Sequence, residues 1–253
     1  MKITKQIRWK FLLAVFKLKR FVHRWLGLRR LDYDEKDIFI LTDTLREYET
    51  RARSVIKEPK TVSWIKKHGG HKAVLYDIGA NIGAYSLIAA SEGARVVAFE
   101  PAHQNIYKLH ENILLNKLND KITVVPLMLA EKNGIAKSFV ADRSFGTTHS
   151  FSFNEKSSDA LAGQDFLAMG LDSCIKTFLF PEPTMIKIDV DGAEMEVLIG
   201  ARELLNSPIL KHILIEVDNN NNEIKKYIMN MRFRLVDEER SGTYTTNYIF
   251  ERL

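Results

Sequence analysis

An α/β fold, a mostly parallel sheet with helices on both faces, is what this 253-residue sequence predicts. Two observations predict it. From residue 74 onward, short apolar runs alternate with helix-like segments, the pattern of parallel strands joined by helical crossovers. The first of those runs also closes on a glycine turn, "YDIGANIGAYS" at 76–86, where sheets of this kind lead into a helix and bind their ligands.

Each element follows in order. Residues 1–30 place Ile7, Phe11, Ala14, Leu18, Phe21 and Trp25 at alternating four- and three-residue steps, with Lys10, Lys17 and Arg24 every seven on another face. This is a basic amphipathic helix. Residues 31–71 form a charge-rich, helical lead-in or linker that ends at the loop "KKHGGHK", and residues 72–253 form the main domain. Within it, strands are expected at Val74–Tyr76, Arg95–Phe99, Ile122–Val125 and Met185–Ile188, then at "HILIEV", "FRLVDE" and "NYIFER". Helices are expected at Gly83–Ser91, at Ala102–Asn116 behind Pro101, from Gly192 to Leu205, and around Glu223–Met231. The stretch between the third and fourth strands reads as irregular, and Ser138 to Asp172 gives no pattern that translates into an acceptor pocket.

The charge balance weakens one broad class. The chain carries 37 Lys and Arg against 32 Asp and Glu, a net +5. Ten of those cations and no acid lie in residues 1–30, so the body holds 27 basic against 32 acidic groups, a net −5. A body of that sign lacks the electrostatic footprint of a nucleic-acid binder. The arm suits an anionic membrane surface or equally a helix docked on its own domain or a partner subunit. Its longest wholly apolar run, Phe11–Phe16, is far short of a bilayer span, and no secretory cleavage pattern follows it. One cysteine, Cys174, allows no intramolecular disulfide. A cytoplasmic protein, with contact at the inner membrane surface through its arm, is the expected location.

The glycine turn selects among nucleotides. Gly79 and Gly83 let the backbone turn and admit a ligand to its amides, and Asp77 offers a carboxylate at the strand end. The spacing is not the dinucleotide Gly-x-Gly-x-x-Gly, and the phosphate-loop Lys-Ser/Thr pair is absent. An acid there repels phosphate and suits an ammonium group. Glu100 closes the next strand, 17 positions beyond Gly83, where a carboxylate accepts bonds from both hydroxyls of a ribose. A ribose clamp without a pyrophosphate grip fits S-adenosylmethionine better than NAD or ATP.

Three stretches, "YDIGANIGAYS", "VVAFEPAHQNIYKLHENILLN" and "MIKIDVDGAEMEVLIGA", resemble the FkbM-type methyltransferases, a branch of the class I S-adenosylmethionine-dependent enzymes. The likeness runs from about Val74 to the C-terminus. The third stretch departs from the family's Lys-Ile-Asp-Val-Glu-Gly-x-Glu by Asp191 for the first Glu. The resemblance implies a Rossmann-like, seven-stranded sheet with an antiparallel last strand, and cofactor contacts at Asp77, Gly79, Ala80, Asn81, Gly83, Glu100 and Pro101, with Leu129 in a 127–130 stretch near adenine. It also implies methylation of a hydroxyl on a sugar, polysaccharide, glycolipid or polyketide.

Asp189, Asp191 and Glu194 lie within six residues and invite a divalent cation. Asp191 and Glu194 also fit the Asp-x-x-Glu capping box of a following helix, so no metal is expected. Asp189 ends an apolar strand, and alternation puts Lys187 on its side of the sheet. It is the candidate to orient or deprotonate the acceptor; the plainer reading is an ion pair with Lys187. Glu216, ending "ILIE", is the second candidate base, so Asp189, Glu216 and Lys187 form the catalytic set. His149 is a weaker candidate, and His103 and His110 read as surface. Methylation of nitrogen or carbon, an RNA substrate, or a cofactor-binding module without turnover are the competing functions.

Overall fold

In the computed structural model the described residues are 10, 13–15, 17–18, 21–22, 26–140, 149–152, 162–190, 192–218, 221–241 and 245–253. Those between 10 and 27 are helical and nearly all exposed, among them Ala14, Leu18 and Phe21 of the expected apolar face. Ile7, Phe11 and Trp25 lie outside the described residues.

The last three residues of the arm, expected to be helical, form β1 (Leu28–Arg30), paired antiparallel with β2 (Phe39–Leu41) of the lead-in, which continues with α1 (Leu45–Glu47), a π-helical turn (Tyr48–Ala52), α2 (Ser54–Lys57) and α3 (Pro59–His68). The main sheet takes β3 (Val74–Ile78), β4 (Arg95–Phe99) and β5 (Ile122–Val125), with α4 (Ala84–Ser91) and α5 (His103–Leu115) between them. A second sheet follows, of β6 (Met128–Leu129), β7 (Gly134–Val140), β8 (His149–Ser152) and β9 (Ala162–Met169), then α6 (Leu171–Phe178). The main sheet resumes with β10 (Met185–Ile188), α7 (Glu194–Gly200), α8 (Arg202–Asn206), β11 (His212–Asp218), α9 (Asn222–Asn230), β12 (Phe233–Arg240) and β13 (Thr245–Arg252).

The main sheet has seven strands in the order β12-β13-β11-β10-β3-β4-β5. β13, last in sequence, pairs antiparallel with both β11 and β12, and the pairings from β11 to β5 are parallel. This is the expected Rossmann-like arrangement. Strand alternation divides its core in two. Leu75, Val96, Ala98, Met185 and Leu214 face α3, α4 and α5, whereas Tyr76, Val97, Phe99, Ile186 and Ile213 face α6 to α9. Complete burial of each Val, Leu, Ile, Phe or Met among them stabilises by about 1.5–3 kcal/mol.

Three expectations change. Residues 31–71 do not hang as a linker: Leu31, Tyr33, Ile38, Ile40, Ala52, Val62, Trp64 and Ile65 are buried in the same core as α4 and α5. Asn112 of α5 and Asn116, its C-cap, accept the β2 amide protons of Leu41 and Phe39, each at 2.8 Å, and so fix that hairpin to the domain. The irregular stretch contains the second sheet, in the order β6-β9-β7-β8. The single helix expected from Gly192 to Leu205 is two short ones meeting at Ala201, where φ −111° and ψ 19° leave helical geometry. Its N-cap is Ala193, with no side-chain cap, while the Glu194 carboxylate accepts the Gly192 N–H at 2.8 Å. Glu194 is thus the first residue of the helix, bonding an amide ahead of the N-cap, and not the third residue of a capping box; Asp191 lies outside the described residues.

Candidate active site

The turn after β3 is built by its glycines. At Gly79, φ is +80°, and a Cβ would lie 1.9 Å from the Asp189 carbonyl oxygen. Only glycine allows β3 and the end of β10 to come this close. Gly83, at φ +94°, precedes α4, and a Cβ there would lie 2.3 Å from Leu109. Asn81 adopts the left-handed region as well, at φ 52°, and its side chain accepts the Ile82 N–H, the local bond that lets asparagine sit there.

This turn opens into a cavity lined by Gly79, Asn81, Glu100, Pro101, Leu129 and Asp189 of the expected set. Arg51, Asn105, Phe99, Leu127 and Met128 line it too. Glu100 is buried, and its carboxylate accepts the N–H of Asn81 at 2.8 Å, the N–H of Ala102 at 2.9 Å and the Asn105 side-chain amide at 3.2 Å. Burial raises its pKa, and these three bonds oppose the rise. A carboxylate offers about four acceptor positions, so an oriented lone pair is left for a ligand hydroxyl.

Asp77, Ala80, Gly83, Lys187 and Glu216 do not line the cavity. Asp77, expected to face the cofactor, lies beneath the turn instead. Its place in β3 turns it toward α4, where it accepts the Ser86 hydroxyl at 2.5 Å and stands 4.0 Å from the Lys187 ammonium. Burial raises its pKa against the pull of Lys187 and Ser86. The other Asp77 oxygen makes no hydrogen bond.

Lys187 is at the centre of a buried charge cluster. Register puts it opposite Asp77 on β3, and its ammonium donates to Asp189 at 3.0 Å. It also lies 4.9 Å from the centre of the Tyr85 ring. Burial alone would lower the Lys187 pKa, but Asp189, Asp77 and Glu58 raise it above its ordinary value. Asp189 is held well below the usual carboxylate range: burial opposes this, and Lys187, a bond to Glu216 and the Arg51 charge produce it. Glu216 goes the other way, pushed up to about 8 by burial and by Asp189. The opposite shifts favour an ionised Asp189 beside a protonated Glu216, and Glu216 also accepts the Thr245 hydroxyl at 2.7 Å. Glu58 of the lead-in is buried beside them, bonded to Thr61, Ser241 and Asn247.

Arg51, Glu58, Tyr85, Ser86 and Asn105 are the residues that sequence reasoning did not find. Ser86 lies within the quoted glycine stretch, nine positions after Asp77, and was available to helical spacing; nothing local marks the others. His103 and His110 are exposed on α5, and the His149 side chain lies outside what is described. Away from the cavity, His68, His212 and Glu251 come together as potential metal ligands. The two imidazole centroids are 3.6 Å apart, with the ring planes tilted by 30°.

With this geometry in place, comparison with known proteins is informative. The family model described as the methyltransferase FkbM domain matches residues 77–244. Hexuronic acid methyltransferase AglP of Haloferax volcanii is 27% identical over 169 residues, 66% of this chain and 65% of that protein; the chain spans just under two thirds of its length. The crystal structure of methyltransferase FkbM from Methylobacillus flagellatus KT superposes with a TM-score of 0.50 at 15% identity, covering 78% of this chain and 60% of that one.

Proposed function

The chain belongs to the FkbM methyltransferase family, and from that premise we propose that it transfers a methyl group from S-adenosylmethionine to a hydroxyl of a sugar, free, polymeric or lipid-linked. The observation that carries the cofactor reading is Glu100, a buried carboxylate fixed by three hydrogen bonds at the wall of a cavity with apolar residues Phe99, Leu127 and Leu129 beside it. A ribose and an adenine fit that donor and acceptor set. Asn81 and Gly79 bring backbone to the same cavity, and the missing Cβ of Gly79 keeps it open toward Asp189.

When bound, S-adenosylmethionine supplies an electrophilic methyl on a sulfonium. The chain's part is to orient the acceptor and to take its proton. Asp189 lines the cavity as an anion and accepts the hydroxyl hydrogen, aligning the oxygen for in-line attack. Transfer would form the O–CH3 bond and break the S–CH3 bond, with the neutral thioether as leaving group, and the hydroxyl proton would pass to the Asp189–Glu216 pair. Lys187 keeps Asp189 in place and stays protonated. Above about pH 8, Glu216 gives up its own proton and the pair becomes a stronger base.

A sugar acceptor is supported by AglP, which is a hexuronic acid methyltransferase. The test is transfer of labelled methyl from S-adenosylmethionine to neutral and acidic oligosaccharides, followed by mild alkali. Label that survives alkali is an ether on a hydroxyl; label released by alkali is a carboxyl ester and sinks the hydroxyl reading. Titration calorimetry with S-adenosylmethionine, with NAD as control, tests the cofactor alone.

The arm extends the reading to location. Leu13, Val15, Leu18, Phe21, Val22 and Leu26 are exposed beside Lys10 and Lys17, the composition of a helix that lies in an anionic lipid surface. No helix of the described residues is long and apolar enough to cross a membrane. Flotation with anionic vesicles should be lost when residues 1–30 are removed; unchanged flotation refutes the surface role.

A further inference from the structure

Arg51 is the one basic residue that lines the cavity among the described residues. It comes from outside the family match, which begins at residue 77. Its backbone is firmly held: the neighbouring Ala52 is buried in the core and accepts the Asp32 N–H at 3.0 Å, while the Arg51 carbonyl accepts the Ser54 hydroxyl at 2.6 Å. The turn that carries it is π-helical, a rare geometry that recurs at functional sites.

The guanidinium is half-buried and, among the described residues, makes no hydrogen bond or ion pair. Its charge pulls in the lowering direction on three acids of the site: weakly against the burial that raises Asp77 and Glu100, and with Lys187 on Asp189. Each of those acids has closer partners of its own. A partly desolvated cation left unmatched at a cavity wall is matched by an anion when a ligand enters. A guanidinium pairs best with a planar carboxylate, through two parallel bonds.

The ligand proposed above has one anionic group. Phe99, Leu127 and Leu129 offer apolar surface for its base, Glu100 accepts from its ribose, and what remains is the methionine end, with an ammonium and a carboxylate. We infer that Arg51 binds the carboxylate of the cofactor's methionine moiety, so that residues 31–71 complete the cofactor site. The inference rests on the reading that S-adenosylmethionine occupies this cavity.

Two ligands separate the possibilities. S-adenosylhomocysteine carries the amino-acid end, whereas 5′-methylthioadenosine has the same adenine and ribose without it. In calorimetry on the full chain, Arg51→Ala should weaken S-adenosylhomocysteine by about 10- to 100-fold and leave methylthioadenosine within about twofold of wild type. Arg51→Lys should recover part of the loss, and Arg51→Gln, which keeps the packed stem, should behave as Arg51→Ala even if the shorter variant folds poorly. Equal losses for both ligands would mean that Arg51 only holds the wall, and no loss for either would place it toward the acceptor; each overturns the inference while leaving the cofactor reading intact. A folded wild-type chain that binds neither ligand removes the cofactor reading and this inference with it.

Discussion

Glu100 and Asp189 stand at the carboxyl ends of the two strands that flank β3, both lining one cavity, and the chain treats them in opposite ways. Glu100 is held by neutral donors, two backbone amides and one side-chain amide, and burial raises its pKa. Asp189 is held by the Lys187 cation and stays well below the ordinary range. The difference teaches that a carboxylate's chemistry comes from its partners, not from its place in the sheet. Neutral donors fix direction and leave a geometric acceptor, as a hydroxyl clamp requires. A buried cation maintains charge, as an acceptor of protons in a dry site requires.

The largest change should come from removing the cation that distinguishes the two acids. Lys187→Met leaves the buried Asp77 and the half-buried Asp189 without their counter-ion and should cost about 3–5 kcal/mol, read as a fall in the urea midpoint. Stability unchanged at neutral pH would break the comparison at its base. Asp189→Asn keeps the shape and removes the charge; kcat should drop by about 100-fold or more with cofactor affinity little altered. An equal loss in cofactor affinity would make Asp189 another clamp like Glu100.

Glu100→Ala is the reciprocal change. Losing charge-assisted bonds of about 1.5–3 kcal/mol should weaken S-adenosylmethionine by roughly 10- to 150-fold in calorimetry. A variant that binds normally but turns over slowly would exchange the two roles. The smallest effect sharpens the comparison through pH. Glu216 has a folded pKa of about 8, above the ordinary 4.5, so its contribution to stability is complete below about pH 4.5 and is lost as pH rises to about 8. Glu216→Gln cannot ionise, and its melting temperature should fall less than wild type's across that window. Parallel melting curves would show that the pair does not share a proton.

Much of this site was legible because its causes are local. "DIGANIG" needs glycine where the backbone turns at positive φ, and an acid at a strand end is visible once the strand is recognised. Asp77 shows the limit: it is as visible as Glu100, yet strand alternation and Ser86 place it below the cavity, and only the partner across nine residues decides that. Arg51 was hidden because Arg46, Arg51 and Arg53 look alike in sequence; docking of the lead-in on α4 and α5 selects among them. The second sheet was missed because β7 and β9 mix small, polar and apolar residues, and their ladder joins Val140 to Ala162 and Gly134 to Ala168, partners too far apart in sequence for any short window to pair.

The missing side chain at Gly79 sets the tolerance of the whole device. The Asp189 amide bonds to Ile78 at 3.0 Å, and the Asp189 carbonyl occupies the space that a Cβ on Gly79 would need. The donor's cradle and the acceptor's anchor are therefore adjacent rungs of one ladder, separated by strand spacing of about 4.8 Å rather than by a loop. Their alignment is gauged by the stiffest part of the molecule.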